Sequence, residues 1–253
     1  MSIINSKKNN SIQIIQLSRP KVNALNLDMI QLLSQHLDEA MNDRGIKGVI
    51  ITGTPGIFSG GLDIVELARK NRDYMQTFWN EFSQLLIKIY SFPKLIFSAI
   101  SGHSPAGGTV IAIMTDYRVM NSGKYFIGLN EVAVGLTMPI SIGTVSKNIL
   151  GDRIAEKMTL KGELIFPDKA KEIGLIDKII NEPLNLLNET MSVMGKWFQL
   201  PFERQIESKL LLRQPTLDLM EDNIKKDNKI IIEAWFSKEG QAIRQKIIDN
   251  LKK

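Results

Sequence analysis

The sequence has no cysteine and only two histidines, His36 and His103. The absence of cysteine excludes disulfide bonds, thiolate nucleophiles and cysteine-based metal sites. Two histidines are too few for a histidine-rich metal site, and a Ser-His-Asp triad would have to use one of them. We therefore expect no metal site, and we look for a general base among the carboxylates.

Long hydrophobic runs are absent as well. The first residues lack the apolar run of about 7–15 residues that follows the basic start of a signal peptide. The longest apolar stretch, residues 106–114, is far shorter than the ~20 residues of a membrane-spanning helix. The final residues, "NLKK", are not a peroxisomal signal. These absences predict a soluble, cytoplasmic protein without a membrane partner.

The composition is that of a globular protein. The chain has 253 residues, of which 43% are hydrophobic and 23% charged, enough for one large domain or two small ones. The formal net charge of +5 suits nucleic acid, a membrane surface or a phosphorylated ligand, and it is equally compatible with a role in solubility alone.

Strand and helix patterns alternate along the first two thirds of the chain. Strand patterns occupy residues 11–18, 48–53 and 94–100, and helical patterns occupy 26–43, with Asn26 as its cap, and 72–91. Short strands are expected at "YRVM" and "KYFIG", around the turn at 121–123. This alternation predicts an α/β layer structure.

The remainder of the chain has a helical pattern. Three helices are expected after residue 139, then a short strand at 175–180, and from 183 onward an almost wholly helical segment broken at Pro201 and near Asn223. The last segment contains Trp235 and Phe236, and so much apolar surface predicts packing on the body or on a neighbouring subunit.

Two glycine turns follow predicted strands, "FSGGLDI" at 58–64 and "SPAGG" at 104–108. The first N–H groups of a helix lack partners, and glycine lets a ligand reach them, although glycine equally lets a helix pack closely. The segment "GTPGIFSGG" lacks the Gly-Lys-Ser/Thr ending of a P-loop, and no G-x-G-x-x-G follows the first strand. The two turns favour an oxyanion hole, with two N–H donors converging on one carbonyl oxygen.

Four motifs in order resemble the crotonase (enoyl-CoA hydratase/isomerase) superfamily: "SRPKVNALN" at 18–26, "FSGGLDI", "GHSPAGG" at 102–108 and "KYFIGLNEVAVGL" at 124–136. The resemblance extends from about residue 11 to residue 180, and within the superfamily it is strongest to the Δ3,Δ2-enoyl-CoA isomerases. It implies an α/β fold, a spiral of repeated ββα units over residues 1–182. Residues 183–253 would form a helical C-terminal region that assembles a homotrimer or hexamer.

The resemblance also implies the substrate and its contacts. The substrate would be an acyl-CoA thioester of fatty-acid beta-oxidation, with coenzyme A as part of the substrate and no separate cofactor. The oxyanion donors would be the backbone N–H groups of Leu62 and Gly107. Lys21 and Val22 would contact coenzyme A, although Lys21 also fits a solvated loop lysine. The other implied substrate-binding residues are Gly60, Gly61, Asp63, Ile64, Ala106, Gly108, Leu129 and Asn130.

The carboxylates distinguish the subfamilies. Hydratases of this family use two glutamates, and the first of these positions falls on Val110, which cannot transfer protons. The second falls at Glu131. One carboxylate is enough for an isomerase, because it can take a proton from C2 of a 3-enoyl thioester and return it at C4. The resemblance therefore predicts that Glu131 converts 3-enoyl-CoA to trans-2-enoyl-CoA, whereas a lone glutamate on this loop would otherwise be read as a surface carboxylate.

Other residues have two interpretations each. His103 could touch substrate, but a packed loop histidine is favoured. Asp63 most simply caps the following helix, and Asp116 is interpreted as structural. The apolar residues implied for the acyl pocket are equally compatible with the core: Leu67, Phe78, Leu129, Val134 and Leu136.

Two other functions stay open at the level of sequence. One is a different crotonase-fold acyl-CoA enzyme, such as a hydratase with relocated acids or a thioester hydrolase. The other is a non-catalytic protein that binds RNA through its basic surface. Because the sequence has no RNA-binding motif and no cluster of stacking aromatics, a nucleic-acid partner is not expected.

Overall fold

The computed structural model describes residues 2–251. The strands are β1 (Ile4–Asn9), β2 (Ile12–Leu17), β3 (Gly48–Thr52), β4 (Gly56–Ile57), β5 (Leu95–Ile100), β6 (Gly102–Pro105), β7 (Tyr117–Asn121), β8 (Ile127–Gly128) and β9 (Lys178–Ile180). The helices are α1 (Leu27–Asn42), α2 (Ile64–Leu67), α3 (Arg72–Tyr90), α4 (Gly107–Ile113), α5 (Ile140–Leu150), α6 (Asp152–Lys161), α7 (Pro167–Glu172), α8 (Leu186–Trp197), α9 (Phe202–Phe236) and α10 (Lys238–Leu251), with short 3-10 helices at Val132–Val134 and Pro183–Asn185.

A six-stranded sheet with the order β1-β2-β3-β5-β7-β9 forms the centre of the fold. All neighbours pair in parallel except β1, which is antiparallel to β2. Strands β3 and β5 are buried throughout, which explains their continuous apolar sequences. Strand β1 was not predicted, because this edge strand is polar and contains Lys7 and Lys8.

A second sheet contains the three short strands β4, β6 and β8, paired in parallel. The pairs β3–β4, β5–β6 and β7–β8 each place one strand in the large sheet and the next in the small one, and a helix follows each pair. This repetition confirms the predicted crotonase-like spiral of ββα units. Because the short strands are neighbours, the turns that leave β4 and β6 lie side by side.

One prediction of local structure is confirmed in part and another is wrong. The segment "KYFIG" forms a strand only at Ile127 and Gly128, which pairs with β6. Helix α9 continues through Asn223, whose side-chain amide donates to the Leu219 carbonyl and so stays within the helix. The break falls at Ser237 instead, where the hydroxyl accepts a hydrogen bond from the Gly240 N–H.

The C-terminal helices pack on the body of the same chain. Ile231, Ile232 and Trp235 of α9 belong to the main hydrophobic core. The buried Asp227 carboxylate accepts hydrogen bonds of 2.8 and 2.9 Å from the backbone N–H groups of Ile140 and Ser141, at the start of α5. None of the helices within residues 2–251 is long and apolar enough to cross a membrane.

Candidate active site

The first glycine turn presents one backbone N–H group without a partner. Leu62 forms a parallel bridge with Leu25, in which the Leu25 N–H donates to the Gly61 carbonyl at 2.7 Å and the Asp63 N–H donates to the Leu25 carbonyl at 2.9 Å. In such a bridge the N–H of the middle residue points away from the partner strand. Within residues 2–251, the Leu62 N–H has no acceptor.

Glycine is required at the centre of this turn. Gly61 has a φ of +79°, a conformation that costs other residues energy. The Gly61 N–H donates to the Ser59 hydroxyl, which itself donates to the Asn23 carbonyl. These bonds fix the turn ahead of Leu62 and orient its free N–H group.

The second glycine turn begins helix α4. Gly107 is the first helical residue, and its N–H has no acceptor in the part of the chain that the structure describes. Thr109 fixes this turn, since its hydroxyl donates to the Ser104 carbonyl and accepts from the Gly128 N–H. A Cβ at Gly108 would lie only 2.9 Å from the Ser104 hydroxyl oxygen. Gly108 therefore allows close packing, and Gly107 presents a free N–H group, so both interpretations of the glycine pair apply.

The two turns touch each other. A Cβ placed on Gly61 would lie 3.4 Å from the Ala106 Cβ and 3.6 Å from the Gly107 nitrogen. Two N–H groups without partners thus belong to adjacent turns that line the same cavity, through Leu62 and Gly107. That is the arrangement expected of donors to a single carbonyl oxygen.

Glu131 lies in the loop that leaves β8. Its backbone carbonyl accepts hydrogen bonds from the Val134 and Leu136 N–H groups, so the loop is well fixed. The side chain is 6% exposed, and its Oε2 atom has no hydrogen-bond partner within residues 2–251. Burial raises the pKa of the Glu131 carboxyl from 4.5 to about 7. A carboxylate with this pKa is a suitable general base at neutral pH.

One cavity of about 100 Å³ connects these groups. It is lined by Gly60, Leu62, Ile64, Trp79, Phe82, Pro105, Ala106, Gly107, Val110, Asn130, Glu131, Val134, Leu136, Thr137, Pro139, Ile142, Ile231, Trp235 and Arg244. Among these residues Glu131 is the only carboxylate. Val110, which the resemblance places at the first hydratase glutamate, also lines this cavity and contributes no acid.

The structure brings most of the predicted site residues to this cavity. Those that line it are Gly60, Leu62, Ile64, Ala106, Gly107, Asn130 and Glu131. Gly61 and Gly108 belong to the two turns but do not line the cavity, and Leu129 is fully buried in the core. Asp63 caps α2 by accepting from the Glu66 N–H, as expected, and it pairs with Arg19 at 2.7 Å.

The predicted coenzyme A segment lies against the first turn. The Gly60 N–H donates to the Val22 carbonyl at 2.7 Å, and a Cβ at Gly60 would lie 2.9 Å from the Val22 side chain. Val22 is 46% exposed and Lys21 is exposed. Their contact with coenzyme A stays a prediction.

Two residues for which the sequence favoured a structural role make structural contacts. His103 accepts a hydrogen bond from the Phe126 N–H and stacks on the Phe126 ring. Asp116 accepts from the Ile96 N–H and forms ion pairs with Lys209 and Arg213, at 2.9 and 3.0 Å. In residues 2–251, no group of acidic and histidine side chains is arranged to hold a metal ion.

Much of the cavity wall was missed from the sequence. Val134 and Leu136 line the cavity, but Leu67 and Phe78 lie in the core behind it. Most of the missed lining residues come from α3, α5, α9 and α10: Trp79, Phe82, Ile142, Ile231, Trp235 and Arg244. The loop before α5 adds Thr137 and Pro139. Helical periodicity can indicate which apolar side chains are buried, but it does not indicate which of them border a cavity.

Comparisons with known proteins agree with this geometry. A family model described as enoyl-CoA hydratase/isomerase matches residues 7–240. Enoyl-CoA delta isomerase 1, mitochondrial, from Rattus norvegicus is 32% identical over 247 residues, which cover 90% of this chain and 85% of that protein. The Mus musculus protein of the same name is 35% identical over 209 residues, covering 82% and 72%.

A similarity in structure accompanies the similarity in sequence. The crystal structure of human mitochondrial delta3-delta2-enoyl-CoA isomerase superposes with a TM-score of 0.95 at 26% identity. The superposition covers 99% of this chain and 98% of the human one, so the resemblance includes the C-terminal helices that close the cavity.

Proposed function

The chain belongs to the enoyl-CoA hydratase/isomerase family, and from this premise we propose that it is a Δ3,Δ2-enoyl-CoA isomerase that works with the single carboxylate of Glu131. Its substrates are 3-enoyl-CoA thioesters, and its products are trans-2-enoyl-CoA thioesters of fatty-acid beta-oxidation. The observation that carries the proposal is the lining of the cavity, in which Glu131 is the only carboxylate and Val110 contributes no acid.

The reaction needs two proton transfers and one stabilised anion. The thioester carbonyl oxygen accepts hydrogen bonds from the Leu62 and Gly107 N–H groups. The Glu131 carboxylate removes a proton from C2, and the electrons shift toward the carbonyl oxygen to form a dienolate, which the two N–H groups stabilise. Glu131, now a carboxylic acid, returns the proton at C4, so that the double bond lies between C2 and C3.

Hydration would need more than this site offers. Adding water across a double bond requires a base for the water and an acid for the α-carbon. Among the residues that line the cavity only Glu131 is available for both tasks, and the buried Val110 occupies the position of the first hydratase glutamate.

The isomerisation of 3-hexenoyl-CoA and the hydration of crotonyl-CoA test the proposal. We expect the wild type to make 2-hexenoyl-CoA and to hydrate crotonyl-CoA barely. Glu131→Gln should lose isomerisation by at least ~100-fold, the contribution typical of a positioned general base. Glu221→Gln, which removes an exposed carboxylate on α9, is the matched control and should keep the wild-type rate.

Three results would contradict the proposal. Hydration of crotonyl-CoA at a rate similar to isomerisation would indicate a hydratase. A Glu131→Gln variant that isomerises at the wild-type rate would show that Glu131 does not transfer the proton. A wild type that isomerises nothing would leave another acyl-CoA reaction, such as thioester hydrolysis.

The assembly and location that the sequence predicted also stay proposals. Residues 183–253 are proposed to mediate a homotrimer or hexamer, and exposed apolar side chains in this region support an interface: Leu184, Leu200, Leu211 and Leu212 are each more than half exposed. The division of the chain at residue 182 and the cytoplasmic location stay predictions, and the mammalian relatives carry the word mitochondrial in their names.

A further inference from the structure

The cavity contains one ionisable side chain that the proposed isomerisation does not use. Arg244 of α10 lines the same cavity as Glu131 and is only 2% exposed. A buried arginine normally pairs with a carboxylate, because an isolated buried charge loses its hydration without compensation. Arg244 has no such partner among residues 2–251.

The contacts of Arg244 leave part of the guanidinium free. Its Nη2 group donates to the Trp235 carbonyl, and the guanidinium carbon lies 4.0 Å from the centre of the Trp235 ring. Its Nη1 group is buried and has no acceptor in the described chain. Burial lowers the pKa of Arg244 to about 10, so the group is still a cation at neutral pH.

A second donor without a partner borders this space. The Trp79 side chain lines the cavity, and its Nε1 atom is buried with no acceptor within residues 2–251. Glu131 Oε2 and Arg244 Nη1 both lack a hydrogen-bond partner within residues 2–251, so these two atoms do not bond to each other. The guanidinium therefore keeps an N–H donor that is available to a carboxylate of a ligand.

We propose that Arg244 binds a carboxylate at the far end of the acyl chain, so that the preferred substrates are CoA thioesters of dicarboxylic acids. This inference rests on the proposed function and specifies its substrate class. A distal carboxylate would supply both the missing counter-ion of Arg244 and an acceptor for its free N–H groups. A plain alkyl chain would leave the buried cation unpaired, and a site with an unpaired polar group discriminates against such a ligand.

Binding of two saturated thioesters tests the inference without catalysis. Adipoyl-CoA and hexanoyl-CoA have the same chain length and differ in the terminal carboxylate. By isothermal titration calorimetry we expect the wild type to bind adipoyl-CoA at least ~10-fold more tightly, the effect typical of hydrogen bonds to a charged group. Arg244→Met keeps a long apolar side chain against Trp235 and should bring the ratio of the two Kd values to about 1.

Two further variants separate a local contact from general electrostatics. Arg244→Lys keeps the charge and should retain part of the preference. Lys246→Met removes an exposed positive charge from the same helix, and it should show the wild-type ratio. Thermal unfolding checks that each variant is folded before its ratio is interpreted.

Each result decides one question. Equal affinities of the wild type for the two thioesters overturn the inference, as does an Arg244→Met variant that keeps the wild-type ratio. If the wild type isomerises 3-hexenoyl-CoA but shows no preference for adipoyl-CoA, the proposed function stands and the inference fails. If it prefers adipoyl-CoA through Arg244 but isomerises neither 3-hexenoyl-CoA nor 3-hexenedioyl-CoA, the inference stands and the proposed reaction fails.

Discussion

At the scale of the residue, the burial of Glu131 makes the stability of the protein depend on pH. Burial raises its pKa from 4.5 to about 7 in the folded protein, whereas the unfolded chain keeps the ordinary value. Between these two pKa values the folded state holds more protons than the unfolded state. The free energy of unfolding therefore falls as the pH rises from about 4.5 to about 7, and it levels off above that range.

We accordingly expect Glu131→Gln to stabilise the protein. A shift from 4.5 to about 7 corresponds to about 3 kcal/mol at pH 8, and the neutral amide does not incur this cost. Urea unfolding at pH 8 should show the variant more stable by up to this amount, and the difference should shrink as the pH approaches 4.5. A variant that is as stable as wild type at pH 8 would show that Glu131 is hydrated in the folded protein.

The sequence predicted the residues of the proposed chemistry better than their surroundings. Leu62, Gly107 and Glu131 belong to short motifs, and the structure brings all three to one cavity. Arg244 and Trp79 belong to no motif. Nothing in the sequence distinguishes Arg244 from the exposed Lys246 on the same helix, since burial of a charge depends on contacts with distant segments.

At the scale of the element, the first glycine turn depends on a left-handed residue. Gly61 has a φ of +79°, and a Cβ there would lie 3.1 Å from the Pro105 carbonyl oxygen. The Gly61→Ala variant would add backbone strain in the first turn and a close steric contact with the second turn. We expect it to shift the Leu62 N–H and to lower kcat for isomerisation at least ~10-fold, since losing one oxyanion donor costs about 3 kcal/mol.

Gly56 offers a matched control for this variant. It has a similar φ of +84°, but a Cβ there would meet no atom within 4 Å. Gly56→Ala should lose about 1 kcal/mol of stability through the same backbone strain and keep the wild-type kcat. Steady-state kinetics measures kcat for both alanine variants, and urea unfolding measures their stability. Equal kcat values for both alanine variants would argue against an oriented donor at Leu62.

Helices and strands with a clear hydrophobic pattern were predicted well. The polar strand β1 and the long helix α9 were predicted less well. Buried strands β3 and β5 stand out by their apolar runs, and Asn26 caps α1 through its side chain as expected. Strand β1 has the composition of a loop, so only its pairing with β2 shows that it is a strand. In α9 a break was predicted near Asn223, but the helix packs against α3 and α5 and is continuous there, as it is at Pro215.

At the scale of the whole molecule, the C-terminal helices are attached to the core by a buried carboxylate. Asp227 of α9 is 2% exposed and accepts three hydrogen bonds from the start of α5, including one of 2.7 Å from the Ser141 hydroxyl. Removing it would leave the N–H groups of Ile140 and Ser141 without a partner. Such groups cost about 1–3 kcal/mol each when buried.

Asp227→Ala should therefore destabilise the protein by about 2–4 kcal/mol. Asp222→Ala changes an exposed aspartate of the same helix, gains the same helix propensity and should leave stability nearly unchanged. Urea unfolding measures both free energies. A loss of less than about 1 kcal/mol in Asp227→Ala would show that apolar contacts alone hold α9 against α5.

The position of Trp235 and Arg244 in the chain has a consequence for folding. The cavity residues of α9 and α10 lie at least 100 residues after Glu131 (131 to 231), and still further after Leu62 and Gly107. Contacts between such distant segments form late, because the intervening chain must first be ordered. We therefore expect the glycine turns to form early in folding and the cavity to be enclosed only when α9 and α10 pack.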